Sequence, residues 1–393
     1  MDRNCDEAIK EFKIALELDP NYGSALNSLA YMYLIIGEYG KAIEYFKRYA
    51  SAYPEDANPY DSMAEAYLRL GNLDEAIAKF KEALEIRPDF GSDVSVAYVY
   101  ALKEDFQEAL KWNDQYIEKA ASPGRKVWGY LSKSLVQNFL GEMDYALHTL
   151  HSTYELAESI GNQFQMDLTD FMRAWIYYES GKFELCQKYL DSWFNSVSQH
   201  DVNHMPRNTA MYNFLLGLVD VKLGKTDSAE SRLKEMGSVL PDVDSAIKVI
   251  ITFQYYLLQG EVSLAKGLPE EAISAWGQMP EIEMPTFTNV VIAFYNLPPQ
   301  KDMLARAYQK KGDVDQAITE YEQLITFDPR SKDRFFIHPL YHYRLAKLFQ
   351  ESGDSEKALG QYEKFLDLWK DADAVFPEIE DAKKRLARLK ELL

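Results

Sequence analysis

The six histidines fall in three close pairs, His148/His151, His200/His204 and His338/His342. A spacing of three or four residues brings two imidazoles to one side of a helix, which is the beginning of a zinc or transition-metal site. Such a site needs three or four ligands. Asp201 beside His200 is the one further ligand type close by, and neither Cys5 nor Cys186 completes a short motif. Loop, cap and surface roles account for the histidines better than a metal, so no metal ligand is assigned. Gly224-Lys225-Thr226 has the ending of a phosphate-binding loop, but the earlier glycine that loop requires is replaced by Val219 and no strand pattern precedes it. No His-Glu-x-x-His, Gly-x-Ser-x-Gly, Gly-x-Gly-x-x-Gly or Cys-x-x-Cys occurs. Asp74, Glu75 and Asp315 stand where the first turn of a helix favours acids, and no carboxylate pair stands out for acid–base work. The chain therefore reads as non-catalytic and without cofactors, a metal-dependent accessory role being the remote alternative.

The elements that position these residues follow a fixed period. Glycine marks a turn at Gly37 and Gly71. Small residues recur at Ala30/Ala64 and Ala42/Ala76, aromatics at Tyr33/Tyr67 and Phe46/Phe80, and a closing proline at Pro54/Pro88, each pair 34 residues apart. Within one period, Tyr60, Met63, Ala64 and Tyr67 make an apolar stripe at helical spacing, Gly71 stops that helix, and Ala76, Phe80, Ala83 and Leu84 make the stripe of a second. Two helices of this kind bury their stripes against each other and against the next pair, which is the logic of a helical solenoid. Such stacking also explains how 393 residues can fold without one large closed core.

Composition narrows the partners. With 62 acidic and 43 basic residues the net charge is −19, which repels phosphate backbones and anionic lipid, so neither nucleic acid nor membrane is expected. The longest apolar runs, such as Val290–Tyr295, are too short to cross a bilayer. Two distant cysteines and no secretory signal fit a reducing, cytoplasmic setting.

The arrangement Tyr60, Met63, Ala64, Tyr67, Gly71, Ala76, Phe80, Ala83, Pro88 resembles the tetratricopeptide repeat, and Leu26, Leu29, Ala30, Tyr33, Gly37, Ala42, Phe46, Pro54 matches it nearly as well. Beyond residue 90 the period lengthens, with turns expected at Asp105, Gly141, Gly181, Gly224, Gly267, Gly312 and Gly353. The small residue five places later persists as Ala146, Ala229, Ala272, Ala317 and Ala358, with Cys186 standing in once. The unit turning at Asp105 matches worst, since Ala109 comes one place early and Asp114 takes the aromatic position. The resemblance implies an all-α fold: a right-handed superhelical α-solenoid of antiparallel helix pairs. About nine full repeats are expected after an N-terminal half repeat. The whole reads as a single solenoid, with regular repeats over 1–122, longer divergent ones over 123–300, two more over 301–376 and a capping helix over 377–393. Helix-linking stretches are expected near Ser198–Asn208, Met279–Lys301 and Pro329–Pro339. Opening in mid-unit, at Ala8, Phe12, Ala15 and Pro20, suggests a fragment of a longer protein.

In such repeats the first helix of each pair lines the inner surface, and the resemblance carries that assignment here. In the regular units it selects Asn27, Tyr31, Asn58 and Arg69, with Asp61 and Glu65 standing where a clamp for a terminal carboxylate would need basic or neutral groups. In the middle units it selects Trp128, Phe139, Phe171, Trp175, Tyr178 and Phe214, and late in the chain Arg306, Lys310 and Lys347. Two readings of the middle aromatics stay open: an aromatic-lined groove for an apolar or amphipathic segment, or ordinary core. The groove reading requires a cavity beside Trp128, Phe171, Trp175 and Phe214. Arg306, Lys310 and Lys347 would suit an acidic peptide, or be scattered solvation charge. The function expected is a protein- or peptide-binding scaffold. Tyr341, His342, Tyr343, Leu345, Ala346 and Trp369 resemble the end of arrays that sit behind bacterial kinase, cyclase or DNA-binding domains. The alternative is therefore a regulatory or ligand-sensing module of a larger signalling protein, its groove taking an intramolecular segment or small ligand. The oligomeric state stays open.

Overall fold

The computed structural model describes residues 3–282, 301–331, 333–373 and 376–392. All regular structure among them is helical. Among the described residues helix α1 (Arg3–Leu18) precedes nine helix pairs, each with a first (A) and second (B) member. They are α2 (Gly23–Ile35) with α3 (Tyr39–Ala52), α4 (Asn58–Arg69) with α5 (Leu73–Ile86), α6 (Asp93–Leu102) with α7 (Phe106–Lys119), and α8 (Pro123–Phe139) with α9 (Met143–Ser159). Then come α10 (Gln163–Glu179) with α11 (Phe183–His200), α12 (Met205–Lys222) with α13 (Thr226–Val239), and α14 (Ser245–Ala265) with α15 (Pro269–Trp276). The last pairs are α16 (Met303–Lys311) with α17 (Val314–Leu324) and α18 (Pro339–Ser352) with α19 (Ser355–Leu368), followed by α20 (Pro377–Leu392). Only a short 3-10 turn, Val202–His204, interrupts the expected link between α11 and α12. The run Val290–Tyr295 and most of the link expected over Met279–Lys301 lie outside the described residues.

The turns follow the expected register. Gly37, Gly71, Gly141, Gly181, Gly224, Gly267, Gly312 and Gly353 all take a left-handed backbone. At Gly71 this lets the Gly71 N–H reach Leu68 O (3.0 Å) and the Asn72 N–H reach Tyr67 O (2.9 Å), so the last carbonyls of α4 are satisfied. The turn expected at Asp105 is instead made by Glu104, whose φ is +58°, while Asp105 caps α7 by accepting from Glu108 N. This correction puts Ala109 in its regular place, five after the turn. The residue nine after the turn, where Phe46 and Phe80 stand in their own units, becomes Asn113. Each small residue named for the close helix approach is fully buried, Ala42, Ala76, Ala109, Ala146, Cys186, Ala229, Ala272, Ala317 and Ala358 alike.

The chain forms two compact units. Unit 1 comprises residues 1–132 with 328–334, and unit 2 comprises 133–327 with 335–393. In unit 1, Leu26, Leu29, Ala30, Tyr33, Phe46 and Met63 form one continuous core, and Tyr31 meets Phe46 edge-on at 5.3 Å. The late stretch 328–334 belongs to this unit because Arg334, 1% exposed, is buried at the end of α4. Unit 2 has a larger core in which Phe171, Trp175, Tyr178 and Phe214 pack with Trp193, Leu258 and Met303.

Unit 2 also joins its first helix to its last pair. Trp369 Nε1 donates to Phe139 O (2.8 Å), Asp373 N to Gly141 O (3.0 Å) and Asp144 N to Asp373 Oδ2 (2.9 Å). Phe336 meets the Phe139 ring at 5.1 Å and His338 meets it at 5.6 Å. The end of α8 is therefore covered by the unit's own later residues.

Candidate functional site

In unit 1 the A-helix positions selected from the sequence lie together and bond from one repeat to the next. Asn58 Nδ2 donates to Asn27 Oδ1 (3.2 Å), Tyr31 Oη shares a proton with Ser62 Oγ (3.0 Å) and reaches Glu65 Oε2 (3.4 Å), and Ser92 Oγ donates to Asp61 Oδ1 (2.5 Å). Arg69 pairs with Glu65 at 3.3 Å. Asn27, Tyr31, Asn58 and Arg69 are all half-buried. Burial pushes the Tyr31 hydroxyl pKa up, and it raises the Glu65 carboxyl although Arg69 pulls the other way. Asp61 is raised by burial too, against the bond from Ser92. A ligand carboxylate placed beside these two acids would meet repulsion, while backbone amides and carbonyls would find both donors and acceptors.

At the turn end of α4 a stretch of the chain's own backbone is already docked. The Arg334 guanidinium donates from Nε to Leu68 O (3.3 Å) and from Nη2 to Arg69 O (3.1 Å) and Pro329 O (3.0 Å), and Nη1 bonds Ser331 O. Tyr98 Oη donates to Arg334 O at 2.7 Å. The last carbonyls of a helix carry its negative dipole end, which is why a cation can be desolvated there. Pro329 lies so close to Gly71 that a Cβ at residue 71 would strike its backbone. Nothing in the repeat pattern announces Arg334, since it stands in a connection between pairs and reaches back more than two hundred residues.

The middle aromatics occupy core positions. Phe139, Phe171, Trp175, Tyr178 and Phe214 are buried, and Trp128 is half-buried. The reason is local: Phe171 packs edge-on against Trp193 at 5.0 Å, and Phe139 is covered by Phe336, His338 and Trp369. A small apolar cleft remains between α8 and α10, lined by Leu135, Asn138, Phe171, Met172, Trp175 and Ile176. Beside it Asn138 Nδ2 (2.6 Å) and Trp175 Nε1 (2.8 Å) both donate to Glu179. Burial pushes the Glu179 carboxyl up to about 8, against the pull of those two bonds.

The three late basic residues differ in their surroundings. Arg306 is held between Asp302 and Glu261, Lys347 lies over the Tyr343 ring at 5.6 Å, and Lys310 is exposed. The histidines have local work. His338 Nδ1 accepts from Leu340 N and caps α18, which requires a neutral ring, and burial with the nearby Arg344 charge lowers its pKa to about 3. His342 bonds Gln361, His200 meets Asp167, His204 meets Asp201, and His151 meets Glu155. Among the described residues no group of three or more His, Cys, Asp or Glu side chains is arranged to hold a metal, and no helix is long and apolar enough to cross a membrane.

Family models described as tetratricopeptide repeat match residues 2–57, 57–90, 302–331 and 341–372. No curated protein matches the chain. Among solved structures it is similar to MamA, with 23% identity over 40% of this chain and 91% of that one and a TM-score of 0.35. It is also similar to a tetratricopeptide repeat protein from Parabacteroides merdae, with 13% identity over 78% and 92% and a TM-score of 0.41. The C-terminal part of a repeat-containing protein from Cytophaga hutchinsonii gives 15% identity over 62% and 93%, with a TM-score of 0.41. Likeness at this level carries no argument about function.

Proposed function

Because the chain is a tetratricopeptide-repeat protein, we propose that it is a non-catalytic scaffold that binds polypeptide along the A helices of its regular repeats. The observation that carries this reading is the docked stretch 328–334: the turn end of α4 and Tyr98 hold main-chain and arginine groups of a non-helical segment. On α2 and α4, Asn27, Tyr31 and Asn58 offer half-buried amide and hydroxyl groups that bond from one repeat to the next. Such groups recognise main chain better than they recognise charge. The aromatic-groove reading of the middle repeats is the less supported version, because its side chains are spent on core; the cleft beside Phe171 and Trp175 is what speaks for it. The docked stretch also speaks for an intramolecular occupant, as a regulatory module would have.

The test is selection of peptides from a random display library on the full chain, followed by affinity measurements on Asn27→Ala/Asn58→Ala. Enriched peptides should bind the native chain and lose at least about tenfold in the double variant, a cost of about 1.4 kcal/mol. Enriched peptides whose affinity is unchanged in the variant would remove this face from the reading.

A further inference from the structure

Between α8 and α10 a side chain with an unpartnered amide oxygen lines an apolar cleft. The cleft and its mouth hold about 270 Å³ of empty space, and its enclosed part takes a single group the size of a water or a methyl. Leu135, Phe171, Met172, Trp175 and Ile176 make walls that are almost wholly apolar, and no charged side chain is among the lining residues. Asn138 is the lining residue that breaks the pattern. It is 1% exposed, its Nδ2 is spent on Glu179 Oε2 (2.6 Å), and its Oδ1 has no partner among the described residues. The Trp175 indole N–H goes to Glu179 Oε1 (2.8 Å), so the lining keeps a spare acceptor and no spare side-chain donor.

A buried acceptor without a donor destabilises the fold, and an occupant that brings a donor removes that cost. Water is a poor occupant, because it would find one polar side-chain atom among apolar walls, where an ordered buried water makes about three hydrogen bonds. An ion is a poor occupant too. No side chain of opposite charge lines the cleft, and Glu179 behind it holds its proton up to about pH 8. A polypeptide could reach it by a side-chain tip alone, since residues 134–140 and 167–176 are all buried and leave no polar strip for a main chain. What fits is a small neutral body, apolar along its length and ending in one donor.

We propose that this cleft binds a small neutral molecule of the aliphatic alcohol class, its hydroxyl donating to Asn138 Oδ1 and its alkyl body lying against Leu135, Met172 and Ile176. The hydroxyl supplies the donor that the lining lacks, and the alkyl body covers walls that neither water nor an ion can satisfy. The site does not rest on the scaffold reading, which concerns the A helices of unit 1.

Three probes that share one apolar body test this: trifluorobutanol, trifluoropentane, in which a methyl replaces the hydroxyl, and protonated trifluorobutylamine. Each is titrated into the full chain near neutral pH, where Glu179 keeps its proton, and followed by fluorine NMR. Trifluorobutanol should bind saturably and at least about tenfold more tightly than either of the others. Its advantage over trifluoropentane should vanish in Asn138→Leu, where Glu179 still has its bond from Trp175. Binding should weaken at least about tenfold in Leu135→Phe, which fills the cleft and leaves Asn138 in place. Melting curves show whether each variant folds, and either one alone carries the test. No saturable binding, equal affinity for the three probes, or an advantage that survives in Asn138→Leu overturns the site. Unchanged binding in Leu135→Phe overturns its place in the fold, and tighter binding of the amine overturns the neutral class. The display experiment reads Asn27 and Asn58 in unit 1, so failure there and failure here are separate results.

Discussion

Asn113 carries a cost that its neighbours in the repeat do not. It stands nine places after the Glu104 turn, where Phe46 and Phe80 fill the space between paired helices, and it is fully buried with neither amide atom partnered. A buried polar group without a partner costs about 1–3 kcal/mol. Asn113→Leu keeps the branched shape at a somewhat larger volume and removes the orphaned atoms, so the urea midpoint should rise by the equivalent of about 1–3 kcal/mol. A lower midpoint would mean that the amide serves something. Glu179 makes a second prediction. Its folded pKa of about 8 lies above the ordinary 4.5, so the folded state holds the proton more tightly than the unfolded chain does. The contribution to stability is therefore complete below about 4.5 and is lost as pH rises through about 8. Glu179→Gln keeps one acceptor oxygen, for Trp175, turns an amide NH2 toward Asn138, whose own Oδ1 has no partner, and has no charge to bury. Thermal melts between pH 5 and pH 9 should show the native chain losing several kcal/mol more than the variant, at about 1.4 kcal/mol per pKa unit. Parallel pH profiles would show that Glu179 is not the group responsible.

At the scale of elements, the turn end of α4 carries the docked stretch 328–334. Arg334 is held by helix-end carbonyls in a forked geometry that a lysine ammonium cannot reproduce. Arg334→Ala should cost about 2–4 kcal/mol, the sum of a charged hydrogen-bond set, and Arg334→Lys should recover little of it. Hydrogen exchange is the direct measurement: amides of 331–336 and of the α4 turn should open together in both variants, and protection lost from 331–336 alone would refute the coupling. The contrast between α4 and this stretch also shows what a sequence can carry. Turn glycines and the small residue five places on are local, repeated signals, so the helix pairs and their order could be read from them. Glu104 hid its turn because the left-handed residue there is not glycine. Arg334 could not be foreseen, because its partners are main-chain carbonyls, which leave no mark on residue type. The aromatics had sequence claims to both groove and core, with core the stronger because aromatics at helical spacing are usually buried. For Phe139 the core reading follows from the return of Phe336, His338 and Trp369 onto α8, a contact between residues that share no period, while Phe171 is covered by Trp193 of its own pair.

At the scale of the whole molecule, stacked repeats ordinarily depend only on their nearest neighbours, so an end can fray without its opposite end responding. Unit 2 is built differently. Trp369, 2% exposed, meets the Phe376 ring at a tilt with ring centres 4.4 Å apart while its indole N–H holds the Phe139 carbonyl, and Asp373 bonds Gly141 and Asp144 beside it. The last pair therefore stabilises the first helix of the unit across about 230 residues of sequence. Replacing a buried tryptophan with alanine costs about 3–5 kcal/mol through lost contact and the cavity left behind. If the ends act as one, Trp369→Ala should remove amide protection around 136–146 as well as around 362–376, with α12 and α13 losing less than either end. In the native chain both end regions should exchange with one common denaturant dependence, because opening one exposes the surface of the other. Loss confined to 362–376, with the α8 end as protected as before, would mean that the closure is a contact without energetic consequence, and that unit 2 unfolds as a linear stack.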